Sequence, residues 1–199
     1  MRADGARHDT QRLTLPEIGR LFGQAGARLY GGEAITQSEH ALQSAWLAEQ
    51  SGADDSLVIA CLLHDLGHML FEQGDRALAE GKNDLHQHRL APYLRGLLPD
   101  DVIAPIGLHV DAKRYLCFTE APYLASLSEA SRLSLALQGG AMEARAAVQF
   151  ASEPHAARAL ALRRHDDAAK IVGWIVPPFV HYLPRLIVLM DLSESSSSP

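Results

Sequence analysis

Apolar residues recur at helical spacing through most of the chain, and the alternation typical of strands is absent from the sequence. A capping sequence at Thr14 predicts a first helix that ends near Gly26, and a second capping sequence at Thr36 predicts a helix that ends near Gly52. The same periodicity predicts later helices over 85–97, 99–112, 126–138 and 153–170. The expected fold is therefore all-α.

The third predicted helix, over 56–66, is apolar on every side, which is typical of a buried central helix. The pattern contains neither an internal repeat nor a linker between domains. We therefore expect one helical domain over 13–192. A flexible N-terminus is predicted over 1–12, and a disordered tail is predicted over 193–199.

Composition narrows the classes of protein. The chain has 199 residues, of which 47% are hydrophobic, and its net charge of −6 argues against a nucleic-acid binder. Only two cysteines are present, Cys61 and Cys117, so neither a disulfide framework nor a cysteine zinc site is expected. No signal peptide is recognised, and prolines interrupt the apolar stretch over 171–190. We expect a cytoplasmic protein that is not inserted in a membrane.

Histidine is unusually frequent, with ten residues in the chain. The strongest local signal is His64-Asp65-Leu66-Gly67-His68, at the end of the most apolar predicted helix. Ionisable groups are seldom buried without partners, and a bound metal would compensate for their burial. The alternative is that Asp65 caps a helix and that the histidines are hydrogen-bonded core residues.

Four further residues extend this signal: His40, His86, His109 and Asp166. Together with His64 and Asp65 they offer four nitrogens and two carboxylates, which are enough for two ions if Asp65 bridges them. Lys113 follows His109 by four residues, so on a continuous helix the two side chains share a face. An ammonium group beside a metal ligand is suited to an anionic substrate.

In their order and approximate spacing, these residues resemble the HD-domain superfamily, specifically its members with six ligands and two metals. A finer resemblance is to the mixed-valent diiron oxygenases that cleave organophosphonates. It is carried by four blocks of sequence: Tyr30 to His40, His109 to Leu116, Leu127 to Arg132, and Gln138 to Gly140. The resemblance implies an all-α HD-domain helical bundle.

The resemblance also implies a reaction. Dioxygen would oxidise 1-hydroxy-2-aminoethylphosphonate, or its N-trimethylated counterpart, to glycine or glycine betaine plus phosphate. The implied cofactor is a pair of iron ions, Fe(II) and Fe(III), with dioxygen as co-substrate. The implied iron ligands are His40, His64, Asp65, His86, His109 and Asp166, with Asp65 as the bridge.

The remaining site residues are also implied by the resemblance. Those that match the phosphonate-binding group are His68, Lys113, Ser131 and Arg163, and Gln138 is expected in the pocket. Tyr30 matches a tyrosine that occupies an iron position until the substrate arrives. Glu33 matches a carboxylate near the amino end of the substrate. Arg163 can in principle hold phosphonate oxygens through two parallel hydrogen bonds.

Two positions are ambiguous from the sequence. His86 and His88 compete for one ligand role, and the spacing to the block at 93–97 favours His86. Relatives of this type usually have glutamate after that histidine, whereas Gln87 stands here, so a negative charge is expected to be lost. Asp166 is favoured over its neighbour Asp167 because Asp166 lies one helical turn after Arg163.

Two other functional classes stay open at this point. A metal-dependent HD phosphohydrolase acting on a small phosphate ester would need no Tyr30–Glu33 pair. A catalytically silent HD module would tolerate the loss of His64. The sequence also leaves open whether the substrate amine is free or trimethylated, and whether the protein is a monomer or a homodimer.

Overall fold

The computed structural model describes residues 12–71 and 80–196, and in that part of the chain it confirms a single all-α domain. Short 3-10 helices lie at Ala25–Ala27 and Phe179–Tyr182. The α-helices, numbered in chain order, are α1 (Leu15–Gly23), α2 (Gln37–Gln50), α3 (Asp55–Leu63), α4 (Leu66–Phe71), α5 (His86–Leu94), α6 (Asp100–Thr119), α7 (Ala121–Ser126), α8 (Glu129–Leu137), α9 (Ala144–Ala151), α10 (Ala156–Ala168) and α11 (Leu183–Ser196).

The core is a bundle of α2, α3, α6 and α10. Helix α10 packs along α6 and against α2, while α3 lies between α2 and α6. Every side chain from Leu57 to Leu63 of α3 is buried, as its uniformly apolar sequence predicts. The end of α3 therefore delivers the residues that follow it into the centre of the domain.

Side-chain caps fix where the two central helices begin. At α2, the Thr36 hydroxyl accepts from the Glu39 N–H at 3.1 Å, and Glu39 Oε2 accepts from the Thr36 N–H at 2.7 Å. At α3, Asp54 Oδ1 accepts from the Leu57 N–H at 2.9 Å. Arg158 of α10 donates to both oxygens of Asp54, at 2.7 and 2.8 Å, so one carboxylate joins α3 to α10.

Several elements differ from the sequence prediction. The helix predicted over 99–112 continues to Thr119, and Lys113, just past its predicted end, is a buried residue of that helix. Helices α7 and α9 have six and eight residues, too few for a period of 3.6 to stand out. Helix α11 ends at Ser196, beyond the predicted start of the tail at 193. Residues 1–11 and 197–199 lie outside the described residues.

Two expectations about membranes and cysteines can be compared with the described residues. No helix within 12–71 and 80–196 is long and apolar enough to cross a lipid bilayer. Cys61 and Cys117 are both buried, and neither forms a disulfide. The absence of a disulfide framework agrees with the sequence expectation.

Candidate metal centre

The six predicted metal ligands converge at the centre of the helical bundle. They are delivered by different elements, so the site exists only when the bundle is assembled. Each of the six side chains is buried. His40 lies in the first turn of α2, His64 and Asp65 follow α3, His86 begins α5, His109 lies in the middle of α6, and Asp166 lies near the end of α10.

The four histidines form two pairs of facing imidazoles. The Nε2 atoms of His40 and His64 are 3.3 Å apart, and those of His86 and His109 are 3.2 Å apart. The Nδ1 atom of each ring lies 2.7 to 2.9 Å from an acceptor: Ala169 O, Cys61 O, Asp84 Oδ1 and Ile106 O, respectively. When Nδ1 donates to that acceptor, the Nε2 lone pairs of a pair face each other, an arrangement that a bound metal ion or a shared proton would stabilise.

Asp65 lies between the two pairs. Its Oδ2 atom is 3.4 Å from His64 Nε2 and 3.8 Å from His40 Nε2. Its Oδ1 atom is 3.1 Å from His86 Nε2 and 3.6 Å from His109 Nε2. One carboxylate oxygen therefore faces each histidine pair, which is the arrangement that the predicted bridging role requires.

The second carboxylate belongs to one pair only. Asp166 Oδ1 is 3.3 Å from His40 Nε2, and Asp166 Oδ2 is 3.7 Å from His64 Nε2. We call His40, His64 and Asp166 the first half of the centre, and His86 and His109 the second half. Asp65 is shared by both halves.

The chemistry of this donor set fits two divalent or trivalent cations. Asp65 Oδ1 and Asp166 Oδ1 are buried carboxylate oxygens that accept no hydrogen bond from the described residues. Buried anionic oxygens without donors are costly unless a cation neutralises them. Imidazole nitrogens and carboxylate oxygens are the ligands of non-haem iron sites. Two groups of side chains each bring their ligand atoms within 4.8 Å of one another. One group is His40, His64 and Asp166, and the other is Asp65, His68 and His86.

The pKa values of His86 and His109 also indicate that a positive charge is favoured in the second half. Burial alone would lower the pKa of His86, but the neighbouring carboxylates of Asp65 and Asp84 raise that pKa to about 9. In its partner His109, burial dominates and lowers the pKa well below the usual value. The second half can thus hold one proton between its two rings, and a metal ion would displace that proton.

The structure separates Asp166 from Asp167. Asp166 faces the first half, whereas Asp167 turns to Arg163 and Tyr123. Arg163 is buried, and its Nη1 atom lies 2.6 Å from Asp166 Oδ2. The Nε and Nη2 atoms of Arg163 donate to the two oxygens of Asp167. The two parallel hydrogen bonds that the sequence suggested for a phosphonate are therefore made to Asp167 in this structure.

The structure also separates His86 from His88. His86 is buried and faces the centre, while His88 is exposed, because positions two residues apart on a helix point about 200° apart. Gln87 is buried and carries no charge, as the sequence expectation noted. However, Asp84 places a carboxylate oxygen 2.9 Å from His86 Nδ1. The expected loss of negative charge beside His86 is therefore offset by a residue that the sequence reasoning missed.

A cavity of about 110 Å³ opens beside the second half of the centre. It is lined by Tyr30 and by every residue that the sequence reasoning assigned to the substrate: Glu33, His68, Lys113, Ser131, Gln138 and Arg163. Lys113 is buried and donates from Nζ to Ser134 Oγ at 2.9 Å. Burial, reinforced by the charge of Arg163, lowers the pKa of Lys113 to about 7.

A tight turn carries Tyr30 and Glu33 to the edge of the cavity. The Glu33 N–H donates to Tyr30 O at 2.7 Å, and Gly31 and Gly32 between them have φ values of 46° and 88°. Two successive positive φ values favour glycine, which explains the Gly-Gly pair in the sequence. The Tyr30 ring stacks on His40 with centroids 3.9 Å apart. Burial, together with the charges of Asp65 and Asp166, raises the pKa of Tyr30 well above its usual value.

Lys170 is a cavity residue that the sequence reasoning did not identify. Its Nζ atom donates to Ser131 Oγ at 2.8 Å and lies 3.6 Å from Glu33 Oε1. The residues on either side of Lys170 are held against α2, because Ala169 O accepts from His40 and the backbone of Ile171 bonds to Gln43. Its position four residues after Asp166 could have identified it, because residues at that spacing share a helix face. Ser134, three residues after Ser131, could have been identified in the same way.

Comparisons with known proteins agree with this geometry. A family model described as the HD domain matches residues 38–115. The glycine-betaine-forming [1-hydroxy-2-(trimethylamino)ethyl]phosphonate dioxygenase of Leisingera caerulea is 36% identical over 174 residues, which cover 87% of this chain and 89% of that protein. The hydroxymethylphosphonate dioxygenase of Gimesia maris is 43% identical over 153 residues, 75% of each chain. An uncharacterized protein of Acanthamoeba polyphaga mimivirus is 35% identical over 182 residues, 89% of this chain and 81% of that protein.

Proposed function

The chain belongs to the HD-domain family that includes the phosphonate dioxygenases, and we propose that it is an iron-dependent oxygenase that cleaves the carbon–phosphorus bond of a 1-hydroxyphosphonate. The substrate class is a 1-hydroxy-2-(substituted)aminoethylphosphonate, which would give glycine or a derivative such as glycine betaine plus phosphate. The observation that carries the proposal is the position of Asp65, because each of its two carboxylate oxygens faces one pair of imidazoles. This arrangement lies beside a cavity that cationic side chains line.

The overall reaction balances with dioxygen alone. The C–P bond breaks, carbon 1 changes from a hydroxymethylene to a carboxyl group, and phosphorus is released as phosphate. Together these changes supply the four electrons that reduce one dioxygen, so no external reductant is consumed. An Fe(II)/Fe(III) pair bound by the two halves would supply the redox chemistry for this step.

The residues of this chain would bind and orient the substrate. The ammonium groups of Lys113 and Lys170 and the hydroxyl of Ser131 all line the cavity, and Lys170 donates to Ser131. They suit a phosphonate, because charge-assisted hydrogen bonds to its oxygens are stronger than neutral ones. His68 also lines the cavity, with its ring against His86. Arg163 would act mainly by holding Asp166 against the first half.

The distal end of the substrate would face the Tyr30–Glu33 turn. Glu33 Oε1 is buried and accepts no hydrogen bond from the described residues, so it could accept one from a substrate ammonium group. Lys170 lies 3.6 Å from the same oxygen, and a cationic substrate would therefore compete with it. Hydroxymethylphosphonate, the substrate in the name of one relative, brings no charge to this end.

The test is phosphate release by the iron-loaded protein from three phosphonates: hydroxymethylphosphonate, 1-hydroxy-2-aminoethylphosphonate and its trimethylammonio analogue. We expect release from at least one of them in air, with one dioxygen consumed per phosphate, and none under strict anaerobiosis. Release that persists without dioxygen would contradict the proposal and indicate a hydrolase. Isotopically labelled dioxygen should also place label in the products, whereas hydrolysis would take its oxygen from water.

A further inference from the structure

Asp84 contacts two histidines that the proposed function assigns to different tasks. Its Oδ1 atom is 2.9 Å from Nδ1 of His86, a proposed metal ligand. Its Oδ2 atom is 3.0 Å from Nδ1 of His68, a proposed substrate contact. The rings of His68 and His86 pack with centroids 3.9 Å apart and planes inclined by 32°. One carboxylate therefore hydrogen-bonds to Nδ1 of His86 and is in ion-pair contact with Nδ1 of His68, whose ring packs against that of His86.

The direction of each ring depends on this carboxylate. With Nδ1 of His86 on Asp84, the Nε2 atom of His86 faces His109 and Asp65, at 3.2 and 3.1 Å. With Nδ1 of His68 on the same carboxylate, the Nε2 atom of His68 faces Asp65 Oδ1 at 3.9 Å, at the edge of the cavity. A partner on the far nitrogen fixes the orientation of a ligating imidazole. The other three histidines of the centre have backbone carbonyl partners, so Asp84 is the side-chain partner in this set.

The backbone around Asp84 is held in an unusual conformation. Leu85 has φ 53° and ψ 29°, and it is the only residue besides glycine with positive φ among those that the structure describes. This left-handed conformation is unfavourable for a residue such as leucine, whose Cβ approaches the following carbonyl oxygen. The Leu85 side chain is 45% exposed, so its own burial offsets little of that cost. Strain of this kind is retained where the surrounding structure needs the conformation.

Close packing holds the other side of the same segment. A Cβ atom on Gly67 would lie 2.7 Å from the carbonyl oxygen of His86, so glycine allows the residues after Asp65 to approach the start of α5. On the exposed side, Asn83 Oδ1 accepts from the Leu85 N–H at 3.1 Å. Asp84 and His86 are thus both turned towards the centre by a short, constrained stretch of backbone.

We propose that Asp84 is a positioning residue that holds His86 for the second metal ion and His68 for the phosphonate, so that metal loading of the second half and substrate affinity are coupled. This inference rests on the proposed two-metal function. Without such a shared carboxylate, metal binding in the second half and substrate affinity would be independent of each other. Replacement of Asp84 should therefore change both, while replacement of His68 should change only substrate affinity.

The first experiment measures metal binding by the full-length Asp84→Asn protein. Iron per chain is determined after loading, and affinity is determined by competition with a chelator. We expect one of two ions to bind about 10–100-fold more weakly and the other to bind as in the wild type, because loss of an outer partner of a ligating histidine has that effect. Asp84→Glu should recover part of the affinity. Two ions bound with wild-type affinity in Asp84→Asn would overturn the inference.

The matched control is Asp101→Asn. Asp101 also faces a histidine, with Oδ1 3.6 Å from His155 Nδ1, but neither residue lines the cavity. This variant should keep wild-type metal affinity and KM. Circular dichroism of both variants shows whether each has folded. If Asp101→Asn loses metal as Asp84→Asn does, the effect is a general one of removing surface charge, and the inference fails.

The second experiment separates the two tasks by kinetics. In His68→Asn, Asp84 and His86 remain in contact, so we expect wild-type metal content and a raised KM for the phosphonate. In Asp84→Asn we expect metal loss and a raised KM even at saturating iron. An unchanged KM in iron-saturated Asp84→Asn would refute the coupling. If the wild-type protein releases no phosphate from any phosphonate, the proposed function fails, and the metal-binding experiment still tests Asp84.

Discussion

The two halves of the metal centre are built in different ways. The first half takes His40, His64 and Asp166 from the ends of helices in the central bundle, and all three side chains are almost fully buried. The second half takes His109 from the middle of α6 and His86 from the strained start of α5, and it has no carboxylate of its own. His40 and His64 of the first half are enclosed and only Asp166 of that half reaches the cavity, while both histidines of the second half line it. The second half also has fewer ligands, so an ion there would keep more positions for substrate.

This difference indicates a division of labour. Metal ions that react keep open coordination positions, whereas closed sites serve structure. His86 and His109 of the second half line the cavity together with the proposed substrate-binding side chains, whereas His40 and His64 do not, so the phosphonate is expected to approach the second half. The variants below test this division.

Loss of the shared ligand should abolish the distinction between the halves. Asp65→Asn removes the charge that faces both histidine pairs. We expect both metal ions to be lost and oxygen-dependent phosphate release to fall below detection, a larger effect than the about 10–100-fold change caused by an outer partner. Metal analysis of the purified protein is the measurement. Retention of one tightly bound ion would show that Asp65 does not bridge.

Variants that remove a ligand from only one half should show whether each half binds its metal ion independently. We expect Asp166→Asn to keep the ion of the second half and His109→Ala to keep the ion of the first half, so each should bind one ion per chain. Because the two-metal centre is incomplete in both, phosphate release should fall by about 1,000-fold or more. Metal stoichiometry distinguishes the outcomes. If either variant loses both ions, the halves are not independent binding sites.

A backbone variant should affect the second half while sparing the first. In Gly67→Ala the new Cβ atom would lie 2.7 Å from the His86 carbonyl oxygen, and the start of α5 would have to move. We expect about 10–100-fold weaker binding of one metal ion, as for a displaced ligand partner. Gly23→Ala is the control, because a Cβ atom there meets nothing within 4 Å. Equal metal affinity in both variants would contradict the close approach.

The smallest expected effect concerns the charge that faces the substrate. Burial lowers the pKa of Lys113 to about 7, so its cationic form is lost as the pH rises through that value. We expect the KM for the phosphonate to rise by about 10-fold between pH 7 and 8.5 while metal content stays constant. Lys113→Arg, which stays charged, should flatten this rise. Lys113→Ala should weaken substrate binding far more than metal binding, and equal loss of both would show that the residue serves the metal.

The sequence was sufficient for the parts of the fold and site that rest on local patterns. The apolar run of α3 and the His64-Asp65 pair at its end predicted a buried helix that leads into a polar site, and the structure has both. Capping residues likewise located the start of α2. These features depend on residues close together in the sequence, so periodicity and capping rules detect them.

The missed features depend on contacts between distant segments. Lys170 meets Ser131 across 39 positions, and that contact arises only when the segment after α10 is held against α2. Asp84 reaches His86 and His68 through the left-handed conformation of Leu85, which leucine does not favour. The pairing of Arg163 with Asp167 was missed for a different reason: both Asp166 and Asp167 are within reach of Arg163, and helical spacing alone does not rank them.

If the facing Nε2 atoms of the two histidine pairs hold iron as proposed, iron supply would also affect the lifetime of the protein. Ligands that bind the folded chain and not the unfolded chain stabilise it, by about 2.7 kcal/mol when their concentration is 100 times the dissociation constant. For a domain of this size that corresponds to a rise of about 5–10 °C in Tm. A chain synthesised under iron starvation would therefore unfold more readily and be exposed longer to proteases. Its abundance in the cell would then follow the availability of its metal.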